Sequence, residues 1–351
     1  MKKSQFHLSL LWMFLLSTCV VAVEAAGTTW NGYQREDFSL DGRKCFVVKP
    51  DKMAAGRPWV WRARFPSYHP EVDLILLGRG FHVAHMDTGG MLGCDEALDH
   101  WDEFHQHMTG QAFALSKKVA LEGVSRGGLF VYRWASRNPE KVSCIYADTP
   151  VCDFKSWPLG QGSGVGHGPT WKKLLERYDF SEAEAMRCEQ NPIDVLEPIA
   201  KAGIPILHIV SENDKVVPPE ENTYELQRRY WKLGGRMRVM SVELGTPASK
   251  GHHFTHPDPQ TPADFIINHT IGPKDWFILR GSMDNFRRKL EREKKARIAF
   301  LGGSITTMNG WRDLVGAELQ RRYPDVEFDF VNAGIPSTGS TPGAFRLMRD
   351  V

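Results

Sequence analysis

From about residue 40 the chain alternates apolar, β-rich runs with stretches of helical period, and this alternation most narrows the folds open to it. "KCFVVKP" and "PWVWRARF" read as strands bounded by Pro and Gly, "VDLILLGRG" as a helix and "FHVAHMD" as the next strand. "CDEALDHWDEFHQHM" carries an apolar stripe at Ala97, Trp101, Phe104 and Met108, the spacing of one helix face. The strand "KKVALEGVS" follows, then the helix "GGLFVYRWASRNP", stopped at Asn138-Pro139. "VSCIYADTP" and "IPILHIVSEND" are further strands, "ENTYELQRRYWKLGG" a helix and "MRVMSVELG" a strand. Such alternation implies an α/β class, with a mostly parallel sheet covered by helices on both faces.

The first residues stand outside this pattern. Lys2-Lys3, the apolar run "LSLLWMFLLSTCVVAV" and Val23-Glu24-Ala25 have the layout of a secretory signal peptide over 1–25. A single-pass anchor is the rival reading, but the apolar run is short and ends at small residues. "LSTC" fits a lipoprotein box poorly because threonine precedes Cys19. The expectation is an exported protein, periplasmic or extracellular, with no membrane contact after cleavage. Lys+Arg 44 against Asp+Glu 42 gives a formal charge of +2, which offers no electrostatic case for nucleic acid. The remaining cysteines, Cys45, Cys94, Cys144, Cys152 and Cys188, match no zinc spacing and read mostly as buried apolar residues.

A main domain is expected over 26–275, with a Gly- and Trp-rich excursion at 155–200. "DNFRRKLEREKKAR" reads as a solvated linker helix within 276–296. A new strand, "RIAFLGGS", then opens a further segment, 297–351.

Within the main domain, Gly123-Val124-Ser125-Arg126-Gly127 lies where a buried strand gives way to a helix. A serine on such a tight turn is pushed out at the carboxyl edge of the sheet, and small residues two before and two after it avoid clashes. The following helix N-terminus favours negative charge beside it. A hydroxyl becomes a nucleophile only when a base accepts its proton and an acid orients that base. Asp214 follows just past one strand, with Glu212 as the alternative acid. "LGTPASKGHHFTHPDP" follows the next strand and offers His252 as base, with His253 as competitor and His256 nearby. Serine, acid and histidine thus occur in the order that this topology requires.

At these residues the chain resembles the α/β-hydrolase superfamily, and residues 30–270 are similar to its acetyl-xylan-esterase and prolyl-oligopeptidase-like branch. The resemblance implies an α/β-hydrolase fold with Ser125, Asp214 and His252 as nucleophile, acid and base. The oxyanion hole would use the N–H of Arg126 and that of Phe65, in a loop without the His-Gly-Gly run common in lipases. It also implies a lid at 155–200, where Trp157, His167 and Trp171 offer a surface for sugar rings, unless the tryptophans instead pack the lid onto the body. Asp87-Thr88 would lie near the pocket rim. The expected activity is removal of O-acetyl or other ester groups from carbohydrate, with no metal or organic cofactor.

A second serine motif, Gly302-Gly303-Ser304-Ile305-Thr306, follows "RIAFL", and Gly334 sits in "FDFVNAGIPSTGS". These two blocks resemble the start of an SGNH (GDSL-like) hydrolase, a flavodoxin-like domain, with Ser304 as nucleophile and Gly334 as an oxyanion donor. The later Asp-x-x-His of that family does not occur before Val351, so the segment reads as truncated and Ser304 is not expected to be competent. Two rivals to the esterase reading stand beside it. One is a prolyl-oligopeptidase-like serine peptidase, for whose gating domain the residues ahead of the first strands leave no room. The other is a catalytically silent polysaccharide-binding module.

Overall fold

The structure, a computed structural model, describes residues 28–272 and 284–350. The signal-peptide reading of 1–25 and the part of the linker up to 283 lie outside the described residues. The chain divides into two compact units between Lys274 and Asp275.

The strands of the larger unit are β1 (Thr28–Trp30), β2 (Tyr33–Leu40), β3 (Arg43–Val48), β4 (Trp59–Arg62), β5 (His82–Met86), β6 (Val119–Val124), β7 (Val142–Asp148), β8 (Ile206–Ser211) and β9 (Met237–Val242). They form one sheet in the order β1-β2-β3-β5-β4-β6-β7-β8-β9. β1 to β3 run antiparallel at one edge, and every pair from β5 onward is parallel. The helices between them are α1 (Glu71–Gly78), α2 (Asp95–Thr109), α3 (Gly128–Arg137), α4 (Gly168–Tyr178), α5 (Glu182–Arg187), α6 (Leu196–Lys201), α7 (Thr223–Lys232) and α8 (Gln260–Thr270). β1 and β2 are absent from the sequence reading for a physical reason. "YQREDFSL" is a half-exposed strand near the edge of the sheet in which only Tyr33, Phe38 and Leu40 reach the cores, so its apolar alternation is faint.

Successive side chains of a strand face opposite ways, and both faces are filled. Trp59 and Trp61 enter the core under α2 and α3, while Val60 enters the one under α1 and α8. Trp61 stacks on Trp101 with ring centroids 4.1 Å apart. Each such indole removes about 150–250 Å² from water, roughly 4–6 kcal/mol of transfer free energy before entropy is charged. Arg62 shares the face of Val60 and is fully buried. It is ion-paired to Asp73 of α1 and lies 3.3 Å from Glu122 of β6. Its other terminal nitrogen donates to the carbonyls of Phe65 (3.1 Å) and Tyr68 (2.5 Å), which fixes the turn after β4.

The excursion after β7 folds into α4, α5 and α6 and has a pinned stem. Asn222 accepts the N–H groups of Cys152 (2.8 Å) and Asp153 (3.2 Å), and Asn191 accepts that of Phe154 (2.9 Å). Among the described residues Cys45, Cys94, Cys144, Cys152 and Cys188 are buried free thiols, and burial pushes that of Cys144 up to about 12.

In the second unit β10 (Lys295–Gly302) and β11 (Glu327–Gly334) pair in parallel. α9 (Asp284–Glu293) precedes them, α10 (Ser304–Thr307) and α11 (Trp311–Arg322) connect them, and α12 (Ser340–Asp350) follows. The expected solvated linker requires correction over 284–293. Leu290 of α9 is fully buried with Ala296 and Val326, so this charged helix is part of the second unit's own core.

Candidate active site

Ser125 stands at the tip of β6, immediately before α3, with φ +50°, the left-handed region that non-glycine residues seldom occupy. Its carbonyl accepts the Val151 N–H at 2.8 Å, which ties the strained turn to the end of β7. Glycines make this approach possible. A Cβ on Gly128 would run into the Val151 carbonyl and stand 2.9 Å from the Pro150 Cβ, and one on Gly123 would meet Val131 at 3.0 Å.

Asp214 and His252 come from the loops after β8 and β9. Asp214 is buried, and its Oδ1 accepts the N–H groups of Val216 (2.8 Å) and Val217 (2.9 Å). That leaves Oδ2 for His252 Nδ1, 2.6 Å away. The other ring nitrogen, Nε2, is 3.0 Å from Ser125 Oγ. With Nδ1 donating to the carboxylate, Nε2 is the acceptor and faces the hydroxyl. Lys250 (φ +55°) and Gly251 (φ +88°) turn the loop so that His252 points inward. His253 is exposed, 5.2 Å from the Tyr68 ring, and His256 reaches Tyr146 Oη at 3.1 Å. Glu212 accepts the Tyr224 hydroxyl at 2.6 Å, away from the imidazole.

Ser125 and His252 open on a cavity of about 640 Å³, large enough for a small substrate. Phe65 and Arg126 line it, and among the described hydrogen bonds neither backbone N–H has a partner. Phe65 sits at φ +50° in the turn that Arg62 fixes. Of the excursion residues, Trp157 and His167 line the cavity, and His167 also caps α4 through Thr170. Trp171 does not line it. That ring is buried, 6.1 Å from Phe154, because α4 lays its apolar face onto the body of the unit. Asp87 and Thr88 also lie off this cavity: Asp87 pairs with Arg64 at 3.3 Å, and Thr88 holds the Trp101 indole at 3.1 Å.

A neighbouring His–acid pair was missed in the sequence. His69 lies between Asp148 Oδ2 (2.5 Å) and the Phe254 carbonyl (2.7 Å), so both ring nitrogens face acceptors. Burial alone would lower its pKa, but these two bonds outweigh burial and raise it. Through these two bonds His69 pins the loop that carries His252 to the end of β7. Asp148 follows a strand as Asp214 does, and that was the available signal.

In the second unit Ser304 is exposed at the start of α10. Gly334, across the end of the two-stranded sheet, has its N–H taken by Asn332 Oδ1 at 3.1 Å. Residues 275–351 contain no histidine, so no imidazole of this unit can serve Ser304.

No family model and no curated protein sequence matches the chain. Solved structures do. Acylaminoacyl peptidase from Pyrococcus horikoshii superposes with a TM-score of 0.50 at 13% identity, over 70% of this chain and 43% of that one. For dipeptidyl peptidase 4 from Porphyromonas gingivalis the values are 0.51 and 14%, over 68% and 36%. For 2,6-dihydroxy-pseudo-oxynicotine hydrolase they are 0.50 and 15%, over 70% and 72%. The chain therefore spans less than half the length of the two peptidases. At these identities the likeness concerns architecture: the larger unit has the α/β-hydrolase fold.

Proposed function

We propose that the larger unit is a serine hydrolase working through an acyl-enzyme, and that it cleaves carboxylic esters, first of all O-acetyl groups on carbohydrate. The observation that carries this reading is the hydrogen-bonded series Asp214–His252–Ser125 opening on the cavity. His252 Nε2 takes the hydroxyl proton as Ser125 Oγ attacks the ester carbonyl, and Asp214 stabilises the imidazolium that forms. The N–H groups of Arg126 and Phe65 receive the negative oxygen of the tetrahedral intermediate. His252 then protonates the departing alcohol, and water, activated by the same base, releases the acid and restores Ser125. Neither step calls for a metal or organic cofactor. The carbohydrate part is supported by the leader-like residues 1–25 and by Trp157 in the cavity wall, whose flat face suits a sugar ring.

The prolyl-oligopeptidase-like reading is supported at least as well by the comparisons, since most of the superposable structures are peptidases. Against an aminopeptidase stands the cavity wall: among the described residues no Asp or Glu lines it, so a peptide's α-ammonium meets no counter-charge. For the second unit the GDSL-like likeness remains a proposal about its fold, with no activity assigned to Ser304.

The test uses the full chain and Ser125→Ala with 4-nitrophenyl acetate, acetylated xylan and an N-acylated peptide anilide. The expected result is release of nitrophenol and acetate by the wild type alone. Faster cleavage of the anilide than of either ester would establish the peptidase reading. Equal ester rates in both proteins would remove the catalytic one and leave a binding module.

A further inference from the structure

The Arg126 side chain is a cation without a counter-charge. It follows the nucleophile, lines the cavity, and is only partly exposed. Its guanidinium lies over the Phe65 ring, 5.2 Å from the centroid, and its Nε is buried with no acceptor. Among the described residues it has neither a hydrogen bond nor an ion pair. Burial accordingly holds its pKa below the ordinary arginine value. The other arginines beside the sheet are compensated: Arg62 by Asp73, Arg64 by Asp87 and Arg133 by Asp95. Lys250, exposed and also lining the cavity, adds a second positive charge, with no ion pair among the described residues.

Withdrawing a guanidinium from water with an unmet N–H costs free energy, which an acceptor in the cavity returns, an anion more fully than a neutral oxygen. The planar fork matches a carboxylate best, through two parallel hydrogen bonds. We propose that Arg126 forms an anion subsite beside Ser125, so that the preferred ester carries a free carboxylate a few bonds from its scissile carbonyl. Monoesters of dicarboxylic acids and acyl esters of acidic sugars belong to this class. This rests on the acyl-transfer reading for its chemistry, though the binding it predicts needs no turnover.

The experiment compares 4-nitrophenyl butyrate with mono-4-nitrophenyl glutarate, a near match in length that adds a terminal carboxylate. In the full-length wild type the glutarate ester is expected to have the higher kcat/KM. In Arg126→Gln the glutarate-to-butyrate ratio should fall about 10- to 100-fold, chiefly through KM, with Arg126→Lys recovering part of it. High salt should lower the wild-type ratio and leave that of Arg126→Gln unmoved. Every substitution keeps the backbone N–H at position 126, so the ratio within one protein isolates the side chain. Calorimetric titration of Ser125→Ala with monomethyl glutarate and with methyl butyrate reads binding alone. Affinity for the former only, lost in the Ser125→Ala, Arg126→Gln double variant, supports the subsite even were the wild type inactive on both esters. Serine-dependent turnover with an unchanged ratio in Arg126→Gln overturns the subsite and leaves the hydrolase reading standing.

Discussion

Replacing Arg62 tests how the interior of the fold holds the site. Arg62→Leu leaves Asp73 and Glu122 buried without a cation, and frees the carbonyls of Phe65 and Tyr68. Removing one partner of a buried ion pair costs about 3–5 kcal/mol. At about 2–4 °C per kcal/mol for a unit of this size, the melting temperature should fall by ~6–20 °C. The turn carrying Phe65 also loses its two anchors, and loss of one oxyanion donor costs up to about 10²–10³ in kcat. Glu122→Gln should behave differently. One guanidinium faces two carboxylates, and burial followed by the charge of Asp73 pushes Glu122 well above the usual carboxylate range. A neutral glutamine then resembles the native form, with a cost below about 1 kcal/mol. The sign of the pH effect follows. Above the unfolded glutamate pKa of about 4.5 the native state holds a proton that the unfolded state has lost, so this group's contribution falls as pH rises. The stability difference, wild type minus Glu122→Gln, should shrink from pH 4.5 upward. Thermal melts followed by tryptophan fluorescence, with 4-nitrophenyl acetate turnover on the same samples, read both quantities. An Arg62→Leu protein within about 1 kcal/mol of wild type, or a Glu122→Gln protein as damaged as Arg62→Leu, refutes the reasoning.

Three further outcomes are expected. Asp214→Asn keeps an acceptor for the Val216 and Val217 N–H groups, so circular dichroism should be unchanged while kcat on 4-nitrophenyl acetate falls about 10⁴-fold. His69→Gln removes a group whose folded pKa is raised, so its contribution is full below the unfolded value near 6.5 and fades as pH rises through the folded one. Denaturant titrations should therefore show a larger loss at pH 5.5 than at pH 9, and equal losses would exclude an imidazolium there. Gly128→Ala forces a methyl group against the Val151 carbonyl and should cost about 1–3 kcal/mol, read as a lower denaturant midpoint, with turnover falling as the Ser125 turn shifts.

The parallel sheet was legible because each of its strands is a short apolar run bounded by turn residues. The order Ser125, Asp214, His252 was legible because all three follow strands, and strand ends at one edge of a parallel sheet are neighbours in space. What adjacent residues do was not legible in the same way. His252 and His253 differ only in how Lys250 and Gly251 turn the backbone, and no periodicity reports that. Arg62 reads as one polar residue in "PWVWRARF", because its partners Asp73 and Glu122 come from other elements. Trp171 and Trp157 look alike in a tryptophan-rich excursion, yet the packing of α4 sends Trp171 inward while Trp157, on the turn before it, lines the cavity.

The clamp by Asn191 and Asn222 has a consequence for how such a protein can change. The backbone from Ser125 through Val151 to Phe154 is held by groups outside the excursion's cavity wall, which begins only at Trp157. The Ser125–His252 pair and the Trp157 wall of the cavity are therefore mechanically separable. Insertions or exchanges between Trp157 and Gln190, which spare both Asn191 and Asn222, can remodel the wall while the serine keeps its geometry. A fold arranged in this way can acquire new substrates by trading one stretch of chain, without re-solving the problem of holding a strained nucleophile.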